Sequence, residues 1–555
     1  MNKALLVKIT GLGLAFSAMA GAASAQQLPS AGGQLRQLPP PPPLSRPAIP
    51  DTRIDRPPAL VVDPAIGPAF TVNALRVTGA TVFPESRLLA VTGFQPGTTL
   101  GLGDLRILAA KITDFYAENG YFVAQAYLPA QAIADGVVTI AVIEGRYGTV
   151  TLKNNSRVSD AAARGIVSGL DNADIVANGP LERRLLLLSD LPGTRVRSTI
   201  APGTDVGTSD LQVDIDRGRS VTGSIEADNG GNRYTGYYRV GGSLNLNNPL
   251  GIGDVFSVRG LVTDGGLTYG RASYQAPIGA LTLGVAYARL DYRLGREFAA
   301  LRAHGSADIA SVYASYPLLR SYDYNVYLLA AGDFKFFHDE IDTTGSIIDR
   351  RSKLGTIGLS GDGRDSSGSS FWSIGWSIGD LDIRTPAVRA IDAMTARTQG
   401  SFHKVALAAG RVQTITDRLS LSLAARGQLA SKNLDISEKM QLGGAFGVRA
   451  YPEGEGFGDQ GYIATAEARL RVAEQLPGEL TLFAFVDHGA VTFNRNRFSP
   501  APNSTRLSGA GAGIAWIDNG NFQLKASYAH RLGNTPVMSA PDASGQFWVQ
   551  AIKLF

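Results

Sequence analysis

No cysteine occurs among the 555 residues, which removes disulfides and thiolate metal sites at once. Charge is sparse, since Asp, Glu, Lys and Arg together make up 18%. The five histidines, at 304, 338, 403, 488 and 530, show no metal-ligand spacing. No G-x-x-x-x-G-K phosphate loop is present, so the chain has no visible means of using ATP. Beyond the first 25 residues, nothing approaches the ~18 consecutive apolar residues of a spanning helix. The 52 basic residues include Lys3 and Lys8 of an acid-free leader, and without them 50 basic face 48 acidic residues. That balance leaves no electrostatic footprint for nucleic acid.

The leader itself, residues 1–25, has a basic start, an apolar stretch and the small-residue ending Ala23-Ser24-Ala25. This is the pattern of a secretory signal peptide cleaved before Gln26, so an exported protein is expected. Residues 26–68 form a distinct segment. Within it, "SAGGQLRQL" can start a short helix with Ser30 as N-cap, too short to be stable alone. "LPPPPPLSRPAIP" favours polyproline II and reads as a semi-rigid spacer.

Two small α/β units follow, at 69–144 and 145–219. In the first, "AFTVNALRVTG" alternates like a strand, "LGDLRILAAKITDFYAENG" has helical spacing, and "YFVAQAYL" and "GVVTIAVIEG" read as strands. The second repeats the order with "GTVTLKNN", helices near "SDAAARGIVSGL" and "PLERRLLLLSDL", then "TRVRSTI" and "LQVDID". A strand-helix-helix-strand-strand unit repeated at this period signals an array of modules.

From 220 to 555 helical periodicity disappears. Short alternating runs such as "RLSLSLAARGQL" and "FQLKASYAHRLG" recur between Gly, Asp, Asn and Ser clusters. "TDGG" and "DNGN" mark tight turns, while "GDGRDSSGSS" and "NRNRFSPAPNSTR" read as longer polar links. These 336 residues exceed an ordinary β-sandwich. About sixteen antiparallel strands of ~9–11 residues, with their connections, fit a transmembrane barrel. The chain ends in "FWVQAIKLF", a strand closing on the aromatic Phe555, as a barrel C-terminal signal would. Lys553 interrupts that strand at its end, where a lysine can snorkel to an interface.

The glycine-rich stretch "GVRAYPEGEGFGDQG" holds one arginine, and an arginine inside a barrel requires water or an acid. In "ELTLFAFVDHGA", Leu480, Leu482, Ala484 and Val486 share the face suited to lipid. Phe483, Phe485, Asp487 and Gly489 share the face suited to the lumen, where an infolded loop could deliver Arg449 to Asp487. His488 is a sequence neighbour of that acid.

Two βααββ modules ahead of a barrel resemble the POTRA-plus-barrel architecture of outer-membrane insertases and secretion pores. That superfamily has a Val-Arg-Gly-Tyr-type motif on a loop folded into the lumen, similar to Val448, Arg449, Ala450 and Tyr451 here. Its barrel-wall partner is a Phe-x-Asp-x-Gly pattern, matched by Phe485, Asp487 and Gly489. Two modules after a Pro-rich linker, with the barrel opening "DNGGNRYTGYYR" and "NPLGIGD", resemble the two-partner secretion transporters. The resemblance implies capture of an unfolded exoprotein in the periplasm and its passage through the barrel, without catalysis or cofactor. It also implies a monomer embedded in outer-membrane lipid and assembled there by the barrel-assembly machinery. An insertase and a passive porin are the alternatives. Ala450 stands where the family has glycine, and the sequence leaves open whether "SAGGQLRQL" plugs the barrel.

Two rival motifs lack their context. "GFGDQG" fits G-x-G-x-x-G but is followed by the strand-like "YIATAEARLRV", with no βαβ unit. "GWSIG", around Ser377, fits a nucleophile elbow but lies within an apparent strand with no helix after it.

Overall fold

The computed structural model describes residues 29–41, 50–54, 69–170, 173–473 and 477–555. The expected signal peptide lies outside them. In the first module, strands Ala74–Thr78, Val137–Ile143 and Gln125–Tyr127 form one sheet. Helices Glu85–Thr92 and Leu102–Glu118 accompany it, and Val77, Leu88, Ile112, Tyr116 and Ile140 bury a shared core. The single strand expected from "AFTVNALRVTG" is two, Phe70–Val72 and Ala74–Thr78, parted at Asn73. Asn73 donates its backbone and side-chain N–H groups to the 135–136 turn instead of to a ladder.

The second module places helices Asp160–Val167 and Asn178–Ser189 with strands Arg146–Asn154, Thr194–Pro202 and Thr208–Arg217. The spacer expected at 26–68 contributes more than length. Its segment Asp51–Ile54 pairs in parallel with Arg197–Ile200, so the linker occupies one edge of the second module's sheet.

Sixteen strands, from Val221–Asp228 to Gly545–Leu554, close into an antiparallel barrel. The first and last meet over five register pairs, Ser224↔Leu554 to Asp228↔Gln550. Phe555 extends the seam, exchanging backbone hydrogen bonds with Gly223 at 3.0 and 3.1 Å. The first strand leaves the second module, so its start marks one end of the barrel. Connections at that end are short, as at 279–280, 321–323 and 519–521. Those at the other end run to 384–399, 431–459 and 532–544.

Along Glu479–Thr492, Phe483, Phe485, Asp487 and Gly489 are buried inward while Leu482, Ala484 and Val486 are exposed outward. Val285, Val312, Phe334, Ile357 and Trp376 are likewise exposed on neighbouring strands, which suits a lipid-facing band. Lys553 is exposed at the short-turn end and donates to the Asn521 side chain.

Two expectations for the barrel region are corrected. It contains a helix, Pro386–Met394, in a long loop, where Pro386 at the start needs no N–H partner. "GDGRDSSGSS" is not a long link, because strands run to Asp365 and restart at Gly368. Asp365 caps the intervening turn through Ser367, so a polar run of strand and turn residues mimics a loop.

Candidate functional site in the barrel lumen

The long loop at 431–459 folds inward, and most of its residues are buried. Gly444, Gly454 and Gly456 take positive φ values of 105°, 87° and 67°, turns that any side chain would strain. Arg449 is thereby carried to the barrel wall. Its Nε donates to Asp487 Oδ2 at 2.8 Å and its second guanidinium nitrogen to Oδ1 at 2.9 Å. Its backbone N–H reaches the same carboxylate at 3.1 Å. The remaining guanidinium nitrogen donates to Glu467 Oε2 at 2.8 Å. The guanidinium lies over the Phe485 ring, 3.3 Å from its centroid, and Trp548 Nε1 donates to the Arg449 carbonyl at 2.7 Å. A bidentate pair with a stacked aromatic fixes orientation as well as distance.

The neighbouring residues complete the seat. Val448, Ala450 and Tyr451 are fully buried, and the Tyr451 hydroxyl donates to the Thr535 carbonyl at 3.2 Å. A methyl group fits at Ala450 because Gly509 faces it; a Cβ on Gly509 would stand 2.4 Å from the Ala450 Cβ. Gly489 makes room in the same way for Leu442 of the loop. Phe555 stays at the seam, away from this site. His488 faces the opposite way from Asp487, bonded to Ser508 and the Tyr462 hydroxyl at 2.8 and 3.2 Å.

A second occupant shares the lumen. The helix Ala31–Arg36 packs Ala31 and Leu35 among Tyr234, Leu261, Leu290, Tyr292 and Phe337 of the wall. Ser30 sits at its N-cap position but makes no side-chain cap bond. Asp339 replaces it, accepting from the Ala31 N–H at 2.7 Å and from the Tyr292 hydroxyl at 2.8 Å. Asp339 is held in turn by Arg350, which also pairs with Asp435 of the infolded loop. At the other end Arg36 donates to the Lys439 carbonyl at 3.1 Å. Next to it, Glu438 accepts from Lys335 and Lys404, each at 2.6 Å. Helix and loop are thus fastened to the wall by the same ionic network.

Glu467, Asp339, Arg350, Asp435 and Glu438 are absent from the sequence motifs. Glu467 carried one faint signal, a charge spaced by two from Thr465 within an alternating strand. The others are joined only by barrel register and loop infolding.

Two βααββ modules, a sixteen-strand closed barrel and a motif loop locked in its lumen define the class of outer-membrane transporters with periplasmic POTRA domains. The family described as "Haemolysin secretion/activation protein ShlB/FhaC/HecB" matches residues 207–516. "POTRA domain, ShlB-type" matches residues 70–145. The chain belongs to the ShlB/FhaC/HecB family, whose members are transporters of two-partner secretion. It is 28% identical over 471 residues to "Heme/hemopexin transporter protein HuxB" of Haemophilus influenzae, covering 83% of this chain and 82% of the relative. It is 24% identical to "Outer membrane transporter CdiB" of Dickeya dadantii, with 76% of each chain covered. Among solved structures, CdiB from Escherichia coli superposes with a TM-score of 0.71 at 22% identity, covering 90% of this chain and 93% of that one.

Proposed function

We propose that this transporter captures an unfolded exoprotein with its modules at 69–144 and 145–219 and threads it through the barrel at 220–555. Arg449 and Asp487 act as the latch of the infolded loop, with Val448, Ala450, Tyr451, Phe485 and Gly489 shaping its seat. The observation that carries this reading is a lumen that holds two pieces, the helix and the loop, each fastened to the wall by polar contacts. Substrate capture by strand addition suits the modules' sheet edges. At the Thr194–Pro202 edge, the linker strand Asp51–Ile54 already stands in that place. With no ATP site in view, directionality comes from folding of the substrate outside the cell. One chain closes its own barrel, which suits a monomer, and Phe555 at the seam is the feature the barrel-assembly machinery would read.

The test is to co-express this chain with the product of the adjacent gene, which this reading expects to be a large, repeat-rich exported protein. Secretion of that protein should require residues 69–216, while barrel assembly should not. An insertase would instead change the assembly of other barrels, and a porin would leave the neighbour's secretion unaffected.

A further inference from the structure

The sheet of the second module has two edges, and they differ. Its strand order runs Asp51–Ile54, Thr194–Pro202, Thr208–Arg217, Arg146–Asn154, so the linker covers one side and Arg146–Asn154 forms the other. Near its start that second edge is covered too, because Ala173 and Val176 donate to the Tyr147 and Gly145 carbonyls. From Val150 to Asn154, no strand lies beside it among the described residues. Asn155 donates its N–H to the Ile215 carbonyl at 2.8 Å. In a parallel ladder alternate residues face the neighbour, so Thr151 and Lys153 bond to Thr208–Arg217. Val150 and Leu152 therefore turn their N–H and C=O groups outward, where unpaired edge groups template a further strand.

A groove of about 770 Å³ runs beside this edge, lined by Val150, Leu152, Val167 and Leu170 with the exposed Arg164 and Ser168. Its size falls within the ~300–1,000 Å³ of ligand clefts. Arg164 is paired with Asp160 at 3.2 Å, which leaves the groove to select by apolar fit more than by charge. Thr149, Thr151 and Lys153 are exposed on the other face of the strand. The edge also leads somewhere. Just beyond Asn154, Ser159 donates its backbone N–H at 2.7 Å to the carbonyl of Gly251, on a turn at the module end of the barrel. A chain laid along this edge therefore ends at the periplasmic rim of the barrel.

We infer that the open edge at 150–154 and its groove take an extended segment of the exoprotein, one that alternates apolar and polar residues. The segment pairs its backbone with Val150 and Leu152 and seats alternate apolar side chains against Val167 and Leu170. The linker strand on the opposite edge shows that this sheet accepts an added strand. The inference rests on the transport reading and assigns capture by this module to the edge that the linker leaves free.

The experiment is photocrosslinking in cells that express the full chain together with the product of the adjacent gene. Benzoylphenylalanine in place of Ser168 should crosslink to that product. In place of Ala161, an exposed position of the same module outside the groove, it should not. L152A removes an apolar side chain, and L152P also removes the outward N–H, a change that an edge strand tolerates. Crosslinking and secretion should fall ~3-fold in L152A and ~10-fold or more in L152P. S168W, which fills the groove and leaves the edge backbone intact, should match L152P. Protease resistance of the module and heat-modifiable mobility of the barrel would confirm that each variant is folded. Equal crosslinking from positions 168 and 161, or secretion unchanged in both L152P and S168W, would overturn the inference. If the neighbour still leaves the cell in that case, the transport reading stands and only this edge is excluded. If the unaltered protein secretes nothing, the transport reading fails and the inference with it.

Discussion

Arg449 and Asp487 meet through three hydrogen bonds to one carboxylate, two from the guanidinium and one from the arginine's own backbone. Side chain and loop are fixed by the same acid. Either truncation leaves a buried charge, which costs ~3–5 kcal/mol where water cannot reach it and less where it can. R449A and D487A should leave the assembled amount within ~2-fold and cut secretion ~10-fold or more, the double variant being little worse than either single. Quantifying exoprotein in the medium against folded barrel checks this. Multiplying losses in the double variant would show that the residues act separately.

The contact between Ala450 and Gly509 makes a size-exchange prediction. G509A alone forces two Cβ atoms to 2.4 Å, an overpacking worth ~1–3 kcal/mol. Combined with A450G, the nearest contacts to the new methyl relax to 3.2 Å from the His530 carbonyl oxygen and 3.4 Å from the residue-450 nitrogen. Protease sensitivity of the 431–459 loop should rise in G509A and return to normal in A450G/G509A. Equal sensitivity in both would mean that the loop does not feel this contact.

A chain without cysteine permits a clean crosslink. A Cβ on Gly32 would stand 2.9 Å from the Ser437 Cβ, and a disulfide needs ~3.5–4.5 Å, so the helix must shift by roughly 1 Å. The oxidised G32C/S437C protein should not secrete, and reduction should restore secretion. Secretion at full rate by the oxidised form would show that substrate passes with the helix in place.

Glu144 makes the first module sensitive to acid. Burial pushes its carboxyl up, but hydrogen bonds from the Thr81 hydroxyl, the Thr81 and Val82 N–H groups and the Tyr116 hydroxyl outweigh it. The net effect holds its pKa below the usual glutamate value. The stability this provides is present above the unfolded pKa of ~4.3 and is lost as pH falls through the folded value. E144Q in a 69–216 fragment should cost ~1–3 kcal/mol at pH 7 and flatten the dependence below pH ~4. Urea midpoints measured from pH 3 to 7 decide it; parallel curves for both proteins would exclude this carboxylate as the source.

The barrel and the Arg449–Asp487 pair were legible because each rests on a local rule. Alternation placed Asp487 inward, and the glycines around Arg449 announced a loop able to approach a wall. The lumen helix was obscure for the opposite reason. Six residues with two glycines have no helical period of their own, and their partners Asp339, Arg350 and Ser437 lie hundreds of residues away. The turn at Ser366–Ser367 was hidden because Gly, Ser and Asp serve there as paired strand residues.

The six-residue helix also has a consequence for the length of its tether. A helix this short cannot persist in water, since nucleation is unfavourable and two of its residues are glycine. Outside the lumen it becomes extended chain, growing from ~1.5 to ~3.3 Å per residue. Departure from the barrel would therefore unspool the helix into a longer leash, and re-entry would require folding it again against Asp339. The wall would then act as the template on which this segment regains its helix.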